Sequence, residues 1–350
     1  MKNILLFIII FSVGRRVNAQ IQKTYVLANN PYIQYIGRFD FTDKTKPVFM
    51  YSGCMIRTAF TGTSISIRLQ DDSLRNWFTV KLDDSISIIK TNDQAGIYEL
   101  AKNLTDKTHT IEISRRTEWH GGNSTFMGFI IEKGKELMPL KKYKRSIEFI
   151  GNSITCGYGN QGQNNKQHFE YATENNYLSA SAVTARDLNA AYVAVCRSGI
   201  GMYQGYGGNT TFTQPLLYDE VVTGSKYPWD YKNNQPDLVV IELGSNDLSA
   251  PLDSLAFVQT YFRFVKKIRR QYAKTKIICV AGTEGRGEKW EKYQSHVKAA
   301  YSKISHIDKN VFYFAFSPFQ PDGSDWHPNV SQDRKMADEL ISFIKKITSW

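Results

Sequence analysis

From residue 146 onward the chain alternates short apolar runs with helix-like segments, and this restricts the fold more than any other feature of the sequence. The runs cover residues 147–150, 191–195, 238–243, 277–281 and 311–316. Helix-like stretches lie near residues 177–188, 254–272, 290–304 and 332–347. A strand that is apolar throughout must be covered on both faces. Strand–helix repeats of this spacing build parallel sheets with helices on either side. Residues 146–350 are therefore expected to form a doubly wound α/β domain around five strands.

Residues 20–140 read differently. Ser64-Ile65-Ser66-Ile67-Arg68-Leu69 alternates polar with apolar, as do Phe78-Thr79-Val80-Lys81-Leu82 and Thr110-Ile111-Glu112-Ile113-Ser114. Turn residues such as Thr61-Gly62-Thr63 and Asp83-Asp84-Ser85 separate such stretches, and no amphipathic helix of normal length intervenes. Short half-buried strands at regular spacing predict a β-sandwich of jelly-roll type. Residues 141–145 read as the linker between the two domains.

The first 19 residues carry Lys2, an apolar core from Ile4 to Phe11, and Val17-Asn18-Ala19. This is the layout of a cleavable export signal. The core is too short to span a bilayer comfortably, with an uncleaved anchor as the alternative because Arg15 and Arg16 sit close to the cut, and no later segment approaches the length of a span. The mature chain is expected to be secreted or periplasmic, without a membrane span, and monomeric.

The net charge of +11 raises the question of nucleic acid. The basic residues are scattered, however. Of the two dense groups, Lys141-Lys142-Tyr143-Lys144-Arg145 lies in the linker and Lys266-Lys267-Ile268-Arg269-Arg270 lies within a helical pattern, so no nucleic-acid partner is expected. Four cysteines are too few for a disulfide scaffold. Cys156 and Cys196 could bridge if their loops are neighbours, but the reading favours buried free thiols. The six histidines show no paired metal-ligand spacing, and there is neither a phosphate-cradling loop nor a complete dinucleotide motif. No metal and no cofactor are expected.

Open α/β sheets bind ligands beyond the carboxyl ends of their strands. The residues at those ends are Gly151-Asn152-Ser153, Arg197-Ser198-Gly199-Ile200-Gly201, Gly244-Ser245-Asn246-Asp247, Gly282-Thr283-Glu284-Gly285, and Asp322-Gly323-Ser324-Asp325-Trp326-His327-Pro328. Alone, Gly-Asn-Ser only ends a strand or caps a helix, with Gly151 permitting a tight turn. Together the loops supply the parts of an acyl-transfer site. Ser153 is the candidate nucleophile, His327 its base, and Asp325, two residues before the histidine, the group that orients the ring. The N–H groups of Ser153 and Gly199 and the side-chain amide of Asn246 are candidate oxyanion donors.

These blocks resemble the SGNH/GDSL hydrolase superfamily over residues 146–350, with Asn152 where that family usually has Asp. The resemblance implies a flavodoxin-like SGNH hydrolase domain. The superfamily's usual acid lies three residues before the histidine, where this chain has Ser324. The D-x-H pattern and the leading β-sandwich instead resemble carbohydrate esterase family 2, as do Gly37-Arg38, Phe60-Thr61-Gly62-Thr63 and Asn76-Trp77-Phe78-Thr79-Val80. That resemblance implies a serine esterase that removes acetyl groups from plant polysaccharides, with an acetylated polysaccharide or oligosaccharide as its partner. Some members of the family manage with a Ser–His dyad. For such an enzyme Tyr203, Tyr206, Trp290 and Trp326 are the candidates to stack on sugar rings. The rival readings are an SGNH enzyme acting on a cell-envelope glycan or a small lipid ester, and an inactive carbohydrate-binding protein.

Overall fold

The computed structural model describes residues 22–283 and 287–350. The export signal read at residues 1–19 lies outside the described residues. Through residue 138 the described chain forms a β-sandwich of antiparallel strands. One sheet centres on Ile65–Asp71 and Ser124–Glu132, the other on Met55–Gly62, Lys107–Arg115 and Trp77–Leu82. Along Ile65–Asp71 the side chains of Ile65, Ile67 and Leu69 are buried while Ser66, Arg68 and Gln70 face outward. This is the period-two pattern of a sheet with one face in the core. The inner faces meet through Ile65, Ile67, Leu69, Phe126 and Phe129 on one side and Phe60, Phe78, Val80, Ile111 and Ile113 on the other.

The second domain is a parallel sheet of β1 (Ser146–Gly151), β2 (Ala191–Cys196), β3 (Leu238–Glu242), β4 (Lys276–Ala281) and β5 (Val311–Ala315) in the order β2-β1-β3-β4-β5. All four pairings among them are parallel. The main helices are α1 (Ala180–Asp187), α2 (Ser254–Gln271), α3 (Glu288–Ser305) and α4 (Val330–Ile347). The apolar runs divide by face. Ile147, Phe149, Val240 and Ile278 pack with Ala182 of α1 and with Met336 and Leu340 of α4. Ile150, Val239, Ile241 and Ile277 pack on the other face with Phe257 and Phe264 of α2 and Val297 of α3. Continuous apolarity in the sequence is thus two alternating half-cores.

The core on the α2–α3 face runs on without a break into the sandwich. Buried arginines of the sandwich reach across. Arg38 lies 3.7 Å from Glu148 of β1, stacks on Tyr218 and Trp229, and donates to the carbonyl of Glu220 at 3.2 Å. Arg116 donates to the carbonyl of Glu174 and to the side chain of Gln161. The two domains are therefore fixed to each other by groups that can only be buried when paired.

Candidate active site

The loops leaving β1, β2, β3 and β5 converge on one pocket of about 980 Å³ lined by Ser153, Gly199, Asn246 and His327 among others. Of the residues after β4, Glu284 and Gly285 lie outside the described residues. At the end of β1 the chain turns straight into a short helix, Ser153–Cys156. Asn152 caps it, accepting from the Ile154 N–H at 3.0 Å, and donates from its amide to Ser245 Oγ at 2.9 Å. The capping role and the site role are here one role, because the cap is what places Ser153 at the pocket. Gly151 is required for space rather than for an unusual turn: a Cβ there would sit 1.9 Å from Thr155 Oγ1.

Ser153 is nearly buried, and its Oγ lies 2.8 Å from Nε2 of His327. The other ring nitrogen, Nδ1, faces the main-chain carbonyls of Ser324 and Asp325, each at 3.1 Å. A carbonyl can only accept, so Nδ1 carries the proton and Nε2 is free to accept one. Burial pushes the His327 pKa below its ordinary value, against the two carbonyls, which favour the charged ring. Tyr158 packs its ring on the imidazole, 4.3 Å between centroids.

The Asp325 carboxylate does not make the contact expected of it. Its oxygens accept from His168 Nδ1 at 3.0 Å, the Phe169 N–H at 2.9 Å and the Tyr158 hydroxyl at 3.1 Å. Burial alone would raise this carboxyl, but those hydrogen bonds outweigh it and hold its pKa below the usual range. The reason is backbone geometry. Asp325 and Trp326 both adopt left-handed conformations, with φ of 47° and 63°. The chain coils there, so residues two apart no longer project to one side, and the main-chain oxygen is what reaches the ring. Nor could an acid replace Ser324 in this packing. Ser324 is fully buried, and a Cβ on Gly159 would already lie 2.5 Å from its Cβ.

Gly199 takes a left-handed φ of 78°, and among the described residues no acceptor engages its N–H. Asn246 donates one amide hydrogen to the carbonyl of Ile200 at 2.9 Å, which aligns its side chain along the same loop. Asp247, the next residue along, is a buried anchor. It accepts from the N–H groups of Met202, Tyr203 and Gln204 at 2.8, 2.7 and 2.9 Å. That anchoring draws Tyr203 against the core and away from the pocket lining. Trp290 lies in the first turn of α3 and does not line the pocket either. Tyr206 and Trp326 do, and both are exposed, at 72% and 55%. Sequence reasoning missed Tyr158, His120 and Ser249, which also line it. All four cysteines are buried free thiols.

Residues 35–140 match the family described as carbohydrate esterase 2 N-terminal, and residues 149–337 the GDSL-like lipase/acylhydrolase family. The chain is similar to the cellulase/esterase CelE of Acetivibrio thermocellus, 35% identical over 332 residues. That alignment takes in 92% of this chain and 40% of CelE, so the chain spans about two-fifths of that relative. It is 28% identical over 338 residues to an acetylxylan esterase / glucomannan deacetylase of Cellvibrio japonicus, covering 93% of this chain and 91% of the other. A solved family two carbohydrate esterase from Clostridium thermocellum, in complex with cellohexaose, superimposes with a TM-score of 0.86. The two are 33% identical, over 91% of this chain and 99% of that one. A β-sandwich leading into a parallel-sheet domain is the architecture that goes with these matches, and the chain belongs to carbohydrate esterase family 2.

Proposed function

We propose that this chain is an exported serine esterase that removes O-acetyl groups from a plant cell-wall polysaccharide, xylan or glucomannan, through an acyl-Ser153 intermediate. The observation that carries the reading is the 2.8 Å approach of Ser153 Oγ to His327 Nε2 at the pocket wall, beside Gly199 and Asn246. The serine oxygen attacks the acetyl carbon as its proton passes to Nε2. Negative charge then develops on the carbonyl oxygen, and the N–H groups of Ser153, Gly199 and Asn246 receive it. Collapse expels the sugar hydroxyl, which takes the proton from His327. Water, deprotonated by the same nitrogen, attacks the acyl-serine and releases acetate. The base is oriented by two backbone carbonyls, which makes the chemistry that of a Ser–His dyad. Tyr206 and Trp326 offer exposed faces for sugar rings.

The test is turnover of p-nitrophenyl acetate, butyrate and longer esters, beside acetate release from acetylated xylan, glucomannan and peptidoglycan. Acetate should be preferred among the small esters and the plant polysaccharides among the polymers. Ser153→Ala should abolish turnover while leaving the melting temperature near that of the parent. Preference for long acyl chains, or activity surviving Ser153→Ala, would sink the proposal. Glycan binding without turnover would identify a binding protein instead.

A further inference from the structure

Glu118 belongs to the β-sandwich, yet its carboxylate lies under the loop that follows β2. The side chain is fully buried. One oxygen accepts from the Ser198 N–H at 2.6 Å, and the other accepts from the Ser198 hydroxyl. The same carboxylate is met by Cys156 Sγ at 3.6 Å, from the end of the helix that begins at Ser153. His120 Nδ1, on the pocket wall, is 3.5 Å away. One group thus touches the loops after β1 and β2 and a pocket residue of its own domain.

Among the described residues no lysine or arginine side chain pairs with this carboxylate. A buried carboxylate is costly unless donors surround it. Here the donors are largely those of Ser198, held at both its amide and its hydroxyl. Fixing Ser198 at both points fixes the peptide that follows, which carries the Gly199 N–H. From behind, the N–H of Glu118 donates to Glu174 at 3.3 Å. Burial, and then the neighbouring Glu118, push the Glu174 carboxyl well above its ordinary value. The turn bearing Glu118 is held against the second domain by Trp119, which packs on Phe212 and Arg197.

We propose that Glu118 is a positioning residue of the oxyanion pocket: from the sandwich domain it clamps Ser198, so that the Gly199 N–H meets the charge that develops during acyl transfer. This rests on the esterase reading of the pocket. A misplacement of about 1 Å can cost on the order of 10²-fold in rate, and a clamp that acts only on the transition state alters kcat rather than KM.

The experiment measures kcat, KM and melting temperature on p-nitrophenyl acetate for the full chain with Glu118→Asp, Glu118→Ala and Glu118→Gln. Asp keeps the charge but withdraws it by one methylene. Gln keeps the reach and can both accept from the Ser198 N–H and donate to its hydroxyl. The Asp and Ala variants should lose about 10- to 100-fold in kcat with KM within about threefold. The Gln variant should stay within about fivefold of the parent. Should Ala fold poorly, the Asp–Gln contrast decides alone. Glu118→Asp at parental kcat overturns the proposal, as does Gln falling as far as Asp, or a rise in KM at constant kcat. A parent chain that turns over no ester overturns the esterase reading along with this one, whereas an active chain indifferent to Glu118→Asp overturns this one only.

Discussion

In the proposed reaction His327 is the base, and its Nδ1 faces two peptide oxygens rather than a carboxylate. A carbonyl carries a dipole rather than a full charge, so it holds the tautomer but does less to stabilise the imidazolium. Burial acts in the same direction and lowers the pKa. The sign of the consequence is fixed. The ring must be neutral to accept the serine proton, and a lowered pKa keeps it neutral further into acid. The acid limb of kcat/KM should therefore have its midpoint below the ordinary histidine value of 6.5. The same profile measured on Asp325→Ala should retain that limb and lose about tenfold or less in kcat, because the carbonyl remains. Removal of a carboxylate that orients the base of a triad costs about 10⁴-fold. A loss of that size, or an acid limb that moves further down when Asp325 is removed, would return Asp325 to the triad.

Among the elements, α4 ties the site's surroundings together through one buried acid. Asp333 in its first turn accepts from Asn160 Nδ2 at 2.9 Å, in the loop after the nucleophile, and from the N–H of Ala180 at the start of α1 at 3.1 Å. Burial pushes its pKa up to about 8. The unfolded chain would release that proton near pH 3.9. The folded state therefore holds an extra proton between these values, and stability is full below the lower one and falls as pH rises through the upper one. Urea midpoints measured from pH 4 to 9 should decline across that window in the parent, and the decline should be shallower in Asp333→Asn. Equal slopes would show that another group titrates.

Elements of this kind separate what the sequence reveals from what it hides. The five strands were legible because each apolar run is local and its length is diagnostic. The pocket positions of Ser153, Gly199 and Asn246 were legible because each lies within a few residues of such a run, and that of His327 because it lies in the loop that follows the fifth. Asp325 was misread because spacing assumes an extended chain, and two successive left-handed residues reverse it. Tyr203 was misread because three of its loop's amides turn inward to Asp247, and Trp290 because it belongs to the first turn of α3. Tyr158 and His168 lie in the aperiodic stretch between Cys156 and α1, where no pattern marks them. Glu118 is 80 residues from the serine it holds, and nothing local announces a contact made only by tertiary packing.

At the scale of the whole molecule, the two domains meet through buried arginines rather than through apolar area alone. Glu148 in β1 receives the hydroxyls of Tyr218 and Tyr272 and faces Arg38. Arg38→Ala would leave that carboxylate buried without its cation, at a cost of about 3–5 kcal/mol. Equilibrium denaturation should show that loss, and a change below about 1 kcal/mol would show that Arg38 is held by its ring contacts alone.

The Glu118 contact also says something about how the chain can be cut. An engineer who excised the α/β half as a minimal catalyst would carry away the serine, the histidine and the asparagine, every residue a motif search marks. Left behind would be the carboxylate beneath Ser198, the imidazole of His120 on the cleft wall and the cation opposite Glu148. The fragment would keep the vocabulary of an esterase while losing part of its grammar, and new specificities grafted onto this scaffold will have to move both halves at once.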